Sequence, residues 1–161
     1  MAEWTFRIEG EPVPWTAQMR NAARSPSFQR MVAWQTQIRV ILSAEWGARP
    51  PLTGPVQIDT TFYRGWPHSA PQSREEAKQR YRDKHILMAP DVGNYRKAFL
   101  DALEPQRYFP GIILNDSQVL GGMEWKAYTQ EAWGYTIMCM KEVNPDGSNH
   151  ANRRSAGAGY G

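Results

Sequence analysis

Two stretches of the chain alternate bulky apolar residues with polar ones, a period of two that predicts strands. Trp4–Ile8 is the first of them, and Pro55–Tyr63 is the second. In the second stretch every other side chain from Val56 to Phe62 is suited to a buried face, which leaves Asp59 on the opposite face. Each stretch therefore predicts a strand with one side against a core.

Helical spacing appears twice. From about Ser27 to Trp46 apolar residues recur at intervals of three and four, and Gly47 follows at the predicted end. A second helix is predicted from Asn94, a residue type that often caps helix starts, to about Leu103.

The rest of the chain mixes short apolar runs with polar segments. Residues 64–84 form a basic insertion that we expect to be mobile, in which Ser73 and Glu76 have the spacing of a capping box and predict a short helix. Further predicted strands are His85–Met88, Gly111–Leu114, Val119–Tyr128 and Trp133–Val143, the last two as an antiparallel pair.

Together these elements predict a single α+β domain over residues 1–143, with a mixed sheet of about five strands and two main helices. Residues 144–161 are mostly Gly, Ser, Asn and Ala, so we expect a disordered tail.

Composition excludes several classes of protein. The net charge of +3 is mild, and no apolar run reaches the length of a membrane span, so we expect a cytoplasmic protein with no membrane partner. Cys139 is the single cysteine, which excludes an intrachain disulfide and a thiolate zinc site. No G-x-S-x-G sequence occurs, and His68, His85 and His150 are too scattered for a metal motif. We expect no organic cofactor.

The chemistry is expected near Asp91, Lys97 and Asp116. Asp91 lies between a predicted strand and a predicted helix, and Asp116 lies in a turn between strands. Lys97 falls in the first turn of its predicted helix, where the helix dipole disfavours a cation, so an anionic group is expected nearby. That group is either Asp101 or a site of carboxylates, metal and phosphate; Mg²⁺ takes such oxygen ligands. Asp in turns more often serves as a cap, and both interpretations stay open.

Several residues in order resemble the signature of the RusA family of Holliday junction resolvases. They are Pro90-Asp91-x-x-Asn94-x-x-Lys97, Asp101-Ala102-Leu103, Asp116-x-Gln118-Val119 and Lys126. The resemblance covers roughly residues 88–126, and the rest agrees only in layout. It implies a homodimeric endonuclease that uses Mg²⁺, with Mn²⁺ as an alternative, and nicks branched, four-way DNA junctions in a bacterial or phage-infected cell.

The resemblance also implies roles for individual residues. Asp91, Lys97 and Asp116 would be catalytic, with Asp91, Asp116 and Asn115 as metal ligands. Gly93, Asn94 and Asp101 would be structural residues near the site. Expected DNA contacts are Arg20, Arg24, Arg74, Lys78, Arg80, Arg82, Lys84 and Lys126. The dimer interface is expected on the long helix with Trp34 and Trp46, or on the first strand.

The sequence departs from the family pattern at Gly93, where a second Asp is usual, and at Asn115, where the first Asp of a pair is common. Either Asn115, Asp59 or Glu124 compensates for the lost carboxylate, or metal affinity is reduced, or the protein binds junctions without cutting them efficiently. Gly93 also permits a positive φ, so the backbone there is open to a different conformation.

Two other interpretations compete. Pro90-Asp91 with Glu124-Trp125-Lys126 fits the PD…(D/E)xK pattern of restriction-like nucleases, although Asp116 then has no role. The second is a non-catalytic DNA-binding accessory protein whose basic clusters contact phosphate in a salt-dependent way.

Overall fold

A computed structural model of the protein describes residues 2–16, 25–67, 73–81, 86, 90–129, 131 and 133–144. Arg20, Arg24, Arg82 and Lys84 lie outside the described residues, as do the predicted tail after Asn144 and, except for Ile86, the predicted strand at His85–Met88. No helix in the described part is long and apolar enough to cross a membrane.

Eight regular elements follow one another along the described chain. The strands are β1 (Glu3–Glu9), β2 (Val56–Arg64), β3 (Val119–Gly121), β4 (Glu124–Tyr128) and β5 (Tyr135–Glu142). The helices are α1 (Pro26–Trp46), α2 (Arg74–Tyr81) and α3 (Val92–Leu103), and a short 3₁₀ turn spans Asp116–Gln118.

The five strands form one mixed sheet with β2 at its centre. β1, β5 and β2 are successively antiparallel, whereas β3 and β4 both run parallel to β2 along its other edge. The predicted α+β class with a mixed five-stranded sheet is thereby confirmed.

The predicted antiparallel pair of Val119–Tyr128 with Trp133–Val143 is wrong. The first stretch is two strands, β3 and β4, and β2 separates both of them from β5. Hairpin pairing of neighbouring strands is the short-range default, but β2 buries every second side chain from Val56 to Phe62 and therefore takes the central position. Both edges of β2 are then available: β5 pairs with one edge, and β3 and β4 pair with the other.

α1 and α3 cover one face of the sheet and enclose the core. The helices contribute Trp34, Ile38, Leu42, Tyr95, Phe99 and Leu103, and the sheet contributes Phe6, Ile8, Ile58, Phe62, Met138 and Met140. Trp34 and Trp46 are each 3% exposed, so these two side chains belong to the core of the monomer. A dimer interface on the long helix or on the first strand stays a prediction. β1 remains an edge strand of the sheet.

The starts of the helices follow local capping chemistry. α1 begins where the Ser25 hydroxyl accepts a hydrogen bond from the Phe28 N–H at 3.2 Å. α3 begins at Val92 with Asp91 as its N-cap, two residues earlier than predicted, and Asn94 lies inside the first turn. The prediction that Asn94 is the cap is wrong because the extended residue Asp91 ends the loop first, and the Asn94 N–H bonds to its carbonyl at 3.1 Å.

Two smaller expectations also fail. Gly93 is not among the glycines with positive φ; it is the second residue of α3, so its backbone is ordinary helix. Gly111–Leu114 is not a strand: the Ile112 N–H bonds to the Leu103 carbonyl at 2.9 Å, and only Ile113 makes a bridge, to Leu52. The end of α3 thus competes for the hydrogen bonds that a strand would need.

The connection between β3 and β4 requires a glycine. Gly122 has φ 144°, and a Cβ there would lie 1.8 Å from the Ile58 carbonyl oxygen. A Cβ on the neighbouring Gly121 would meet nothing within 4 Å, so that position has room for a side chain.

We therefore expect Gly122→Ala to lower the free energy of unfolding by about 1–3 kcal/mol or more, because both the backbone conformation and the contact are strained. Urea denaturation measures the effect. Gly121→Ala is the matched control and should cost clearly less. Equal losses at the two positions would contradict the close approach of this connection to β2.

Candidate active site

A cavity of about 300 Å³ lies where α3 faces the 3₁₀ turn and the start of β4. Among the described residues, seven line it: Gly93, Arg96, Lys97, Leu100, Asp101, Asp116 and Glu124. Most of them are ionisable, so the lining combines acidic and basic groups in a small volume. Such a concentration of charge is typical of functional sites rather than of a core.

Helical spacing explains why α3 supplies most of this lining. Residues 93, 96, 97, 100 and 101 lie three or four positions apart and therefore share one face of the helix. The opposite face, which includes Tyr95 and Phe99, is buried against the sheet. The core contact of α3 thus determines which side chains point to the cavity.

Lys97 is held from the outside by an aromatic ring. Its ammonium nitrogen lies 3.9 Å from the centroid of the Trp15 ring, a cation–π contact. Trp15 is itself attached to α3, because its backbone N–H donates to the Asn94 carbonyl at 2.9 Å. The segment that follows β1 therefore restricts where the lysine charge lies.

Asp116 is presented by a turn that Gln118 organises. The Gln118 side-chain oxygen accepts from the N–H groups of Leu114 and Asn115, at 2.6 and 3.1 Å. Its amide nitrogen donates to the carbonyls of Leu52 and Gly54, at 2.8 and 2.9 Å. One side chain thereby joins the turn to the segment before β2. These bonds explain why a glutamine follows Asp116 at a distance of two residues in the sequence.

The neighbours of Asp116 have local tasks. Its N–H donates to a Glu104 carboxylate oxygen at 2.8 Å. The Asn115 side-chain oxygen accepts from the Ser117 N–H at 3.1 Å and from the Ser117 hydroxyl, and Asn115 forms a capping box with Gln118, whose side-chain oxygen accepts from the Asn115 N–H. The structure thus uses Asn115 as a cap, and a role for it as a metal ligand stays a prediction.

Arg96 is the main link between α3 and the sheet. Its guanidinium donates to the Ile58 carbonyl at 2.9 Å and to the Gly121 carbonyl at 3.4 Å. It also forms a salt bridge of 3.1 Å with Glu124, and the two side chains are only 11% and 27% exposed. Because Arg96 neutralises Glu124 there, Glu124 is poorly suited to replace the missing family carboxylate.

Burial raises the pKa of Asp101 above its ordinary value. Lys97 opposes this rise, Asp116 adds to it by repulsion between like charges, and Arg39 opposes it. Asp101 and Asp116 therefore interact electrostatically, and each favours a cation between them.

The remaining predicted residues occupy different positions. Asp91 is exposed at the start of α3, makes no capping hydrogen bond through its side chain, and lies outside the described lining of the cavity. Asp59 accepts from the Met123 N–H at 2.7 Å and from Gln57, so it secures the β3–β4 connection. The Lys126 ammonium donates to the Pro90 carbonyl at 2.7 Å and ties β4 to the residue before Asp91.

This placement weakens the restriction-like interpretation. That pattern requires its Asp and its (D/E)xK residues on adjacent strands, whereas Asp91 caps a helix and Glu124 is paired with Arg96.

The basic residues expected to contact DNA are partly described. Arg74, Lys78 and Arg80 lie on α2, confirming the predicted short helix, and Lys78 forms an exposed ion pair of 3.7 Å with Glu75. Their role in DNA binding stays a prediction.

Sequence reasoning missed Arg96 and Trp15. The helical spacing that places Lys97 and Asp101 together also places Arg96 beside the cavity, so that signal was present. No local pattern points to Trp15, because its contact with Lys97 depends on how the segment after β1 folds over α3.

Comparison with known proteins gives two findings. A family model described as "Endodeoxyribonuclease RusA" matches residues 9–139, which include the whole lining of the cavity. The chain is also 30% identical, over 139 residues, to "Uncharacterized protein YqaN" of Bacillus subtilis (strain 168). That alignment covers 78% of this chain and 88% of the relative.

The raised pKa of Asp101 generates a stability prediction. The folded protein holds this proton more tightly than the unfolded chain does, so stability falls as pH rises from the ordinary Asp pKa, about 3.9, through the raised one. At pH 7 the folded protein therefore bears the full free-energy cost of an ionised Asp101. We expect Asp101→Asn to raise the urea midpoint at pH 7 without divalent metal, and the gain to shrink below about pH 4.

Glu3→Gln, which removes an exposed carboxylate on β1, is the control and should leave the midpoint unchanged. A lower midpoint for Asp101→Asn at pH 7 would instead show that attraction to Lys97 and Arg39 outweighs burial.

Proposed function

The chain belongs to the RusA family of endodeoxyribonucleases, and from that premise we propose that it resolves four-way and related branched DNA junctions by paired nicks that depend on a divalent cation. The observation that carries the proposal is one cavity lined by Asp101, Asp116 and Lys97.

The donor set fits a hard cation. Mg²⁺ is commonly held by one or two carboxylates, with waters and phosphate oxygens completing its shell. Asp101 and Asp116 supply two carboxylates, and their mutual repulsion, together with the burial of Asp101, favours a cation. Within the described residues no group of three or more His, Cys, Asp or Glu side chains forms a ready-made metal site. We propose that waters and a DNA phosphate oxygen complete the shell. Mn²⁺, which takes similar ligands, is the alternative ion.

We assign metal binding to Asp116 and Asp101 in the cavity, and to Asp91 at the entrance of the same helix. When bound, the cation supplies a lowered pKa for the attacking water and charge stabilisation at the scissile phosphate. Assigning Asp101 as a ligand extends the structural role first expected for it. Asn94 and Gly93 then serve to position α3, as predicted.

The Lys97 ammonium group stabilises the negative charge that develops on the phosphate during cleavage. Its contact with Trp15 limits the positions of the ammonium group, so less freedom is lost when the phosphate arrives. Because α3 begins at Val92, Lys97 is its sixth residue and lies in the second turn; the predicted first-turn position is therefore wrong, and the helix dipole has little effect on the lysine charge.

Paired nicks require two sites related by two-fold symmetry, so we propose a homodimer with one site in each subunit. Arg74, Lys78 and Arg80 on α2, with Arg20, Arg24, Arg82, Lys84 and Lys126, are the proposed contacts to DNA phosphates. The activity belongs in the cytoplasm of a bacterial or phage-infected cell.

A non-catalytic junction-binding role is the alternative function. Gly93 favours it, because glycine stands where the family usually has a carboxylate.

Substitution of Asp116 or Lys97 distinguishes a nuclease from a protein that only binds junctions. We expect Asp116→Asn and Lys97→Met each to reduce single-turnover cleavage of a labelled four-way junction by about 100-fold or more. Binding of the junction in EDTA should stay within about threefold of wild type. Glu75→Gln, on the exposed surface of α2, should cleave normally. Wild-type protein that binds the junction but fails to cleave it with either Mg²⁺ or Mn²⁺ would establish the accessory role.

Gly93 offers a test of the missing carboxylate. A Cβ at this position meets nothing within 4 Å, and the residue lines the cavity. We expect Gly93→Asp to lower the Mg²⁺ concentration for half-maximal cleavage about tenfold, by adding a ligand oxygen and a negative charge. Gly93→Asn has the same size without the charge and should leave the metal requirement near that of wild type. If Gly93→Asp needs the same Mg²⁺ concentration as wild type, the glycine at position 93 does not mark the loss of a metal ligand.

A further inference from the structure

A second cavity, larger than the one at the candidate active site, lies close to it along the chain and has no role in the proposed cleavage chemistry. It has a volume of about 490 Å³ and is bounded by the segment after β1, the first turns of α1 and the start of α3. That volume is within the range of about 300–1000 Å³ found for small-molecule sites. Its size therefore fits a bound group with the dimensions of a nucleotide.

The walls of this cavity suit a flat apolar group. Pro12, Val13 and Pro14 form one side, and Trp34 and Tyr95 close the inner end; these two rings are 3% and 1% exposed, so they offer little area to a bound group. Contacts of both rings with Phe62 fix them, so the inner end is rigid. A nucleobase can therefore bind here through apolar contact with the prolines, with little dependence on base identity.

The rim of the cavity is suited to phosphate. Arg30 and Arg64 both line it, and the Arg30 guanidinium is held near the start of α1 by a 3.2 Å bond to the Ser27 hydroxyl. Glu11 also lies there, but its carboxylate accepts from the Gly65 N–H at 2.9 Å and pairs with Arg64 at 3.4 Å. Its negative charge is thus largely offset, which leaves Arg30 to favour an anion.

The cavity adjoins the candidate active site through residues that neighbour each other along the chain, although none of the described residues lines both. Pro90, immediately before Asp91, belongs to its lining. Pro14 and Thr16 also line it, whereas Trp15 between them covers Lys97. A DNA strand that enters the cavity past Pro90 therefore meets Asp91 and the helix that carries Lys97.

We infer that this cavity captures one unstacked nucleotide of the DNA substrate, with its base between the proline side and the inner end at Trp34 and Tyr95 and its phosphate toward Arg30. The inference rests on the proposed function and narrows the substrate to branched DNA with an unpaired nucleotide at the branch point. A base in an intact duplex must first unstack and unpair, which costs energy, whereas an unpaired base at a junction is already free to enter.

The test compares two junctions that differ by one unpaired thymidine at the branch point, in EDTA so that no cleavage occurs. We expect the full chain to bind the unpaired junction about tenfold more tightly than the fully paired one. Ala33 lies on the exposed side of α1 and lines the cavity, so Ala33→Phe should fill it and reduce this preference to less than twofold. Ala44→Phe, on an exposed position of the same helix outside the lining, should retain the preference.

A measurement on the wild-type protein guards against misfolding of the variant. With 4-thiothymidine as the unpaired residue, irradiation should crosslink it to Pro12–Thr16, Trp34 or Tyr95, as mapped by mass spectrometry. Equal binding of the two junctions, or crosslinks confined to other residues, would overturn the inference. Thymidine monophosphate that binds as tightly as the unpaired junction would also overturn it, since the site would then serve a free nucleotide.

These results are distinguishable from failure of the proposed function. If wild type cleaves paired junctions with Mg²⁺ but shows no preference, the nuclease proposal stands and the pocket inference fails. If no DNA is cleaved but the preference depends on Ala33, the pocket inference stands alone.

Discussion

The Arg96 guanidinium contacts three separate parts of the sheet region, and the geometry of the candidate site depends on it. It binds the Ile58 carbonyl on β2, the Gly121 carbonyl on β3 and the Glu124 carboxylate on β4. Because these contacts are largely buried, the planar group has few alternative arrangements, and loss of one partner would leave the other charge buried without compensation. These contacts hold helix α3 against the strands in a position where its acidic and basic side chains face Asp116.

Two constraints of different range thus produce one cavity. Arg96 holds the helix by long-range contacts, whereas Gln118 shapes the turn around Asp116 and attaches it to the residues before β2. With both supports in place, Asp101 and Asp116 approach each other although their charges repel, and burial adds to the cost of ionising Asp101. Such an arrangement opposes the stability of the protein alone. A bound cation would reverse the sign of that interaction, and a stability cost of this kind is common at functional sites.

Local patterns predicted the parts of the structure that local interactions determine. The spacing of apolar residues indicated α1 and α3, and the alternation from Val56 to Phe62 indicated β2. Pairing was predicted less well, since the order of strands depends on which strand becomes central, and that competition involves the whole core. For the site, sequence motifs indicated Asp91, Lys97 and Asp116 as catalytic residues and Asp101 as a structural one. Lys97, Asp101 and Asp116 line the cavity, whereas Asp91 lies outside its described lining. The roles of Arg96 and Trp15 arise only when distant segments meet, so no short pattern could contain them.

The segment from Pro12 to Thr16 lines the larger cavity and also contacts Lys97, which lines the other one. Pro12 and Pro14 form a wall of the larger cavity, while Trp15 covers the Lys97 ammonium and bonds the backbone of α3. A displacement of this segment would therefore alter the cavity and the surroundings of the lysine together. By reciprocity, any group that orders the segment from the cavity side also biases the position of Trp15, and hence the charge that the lysine offers to a phosphate.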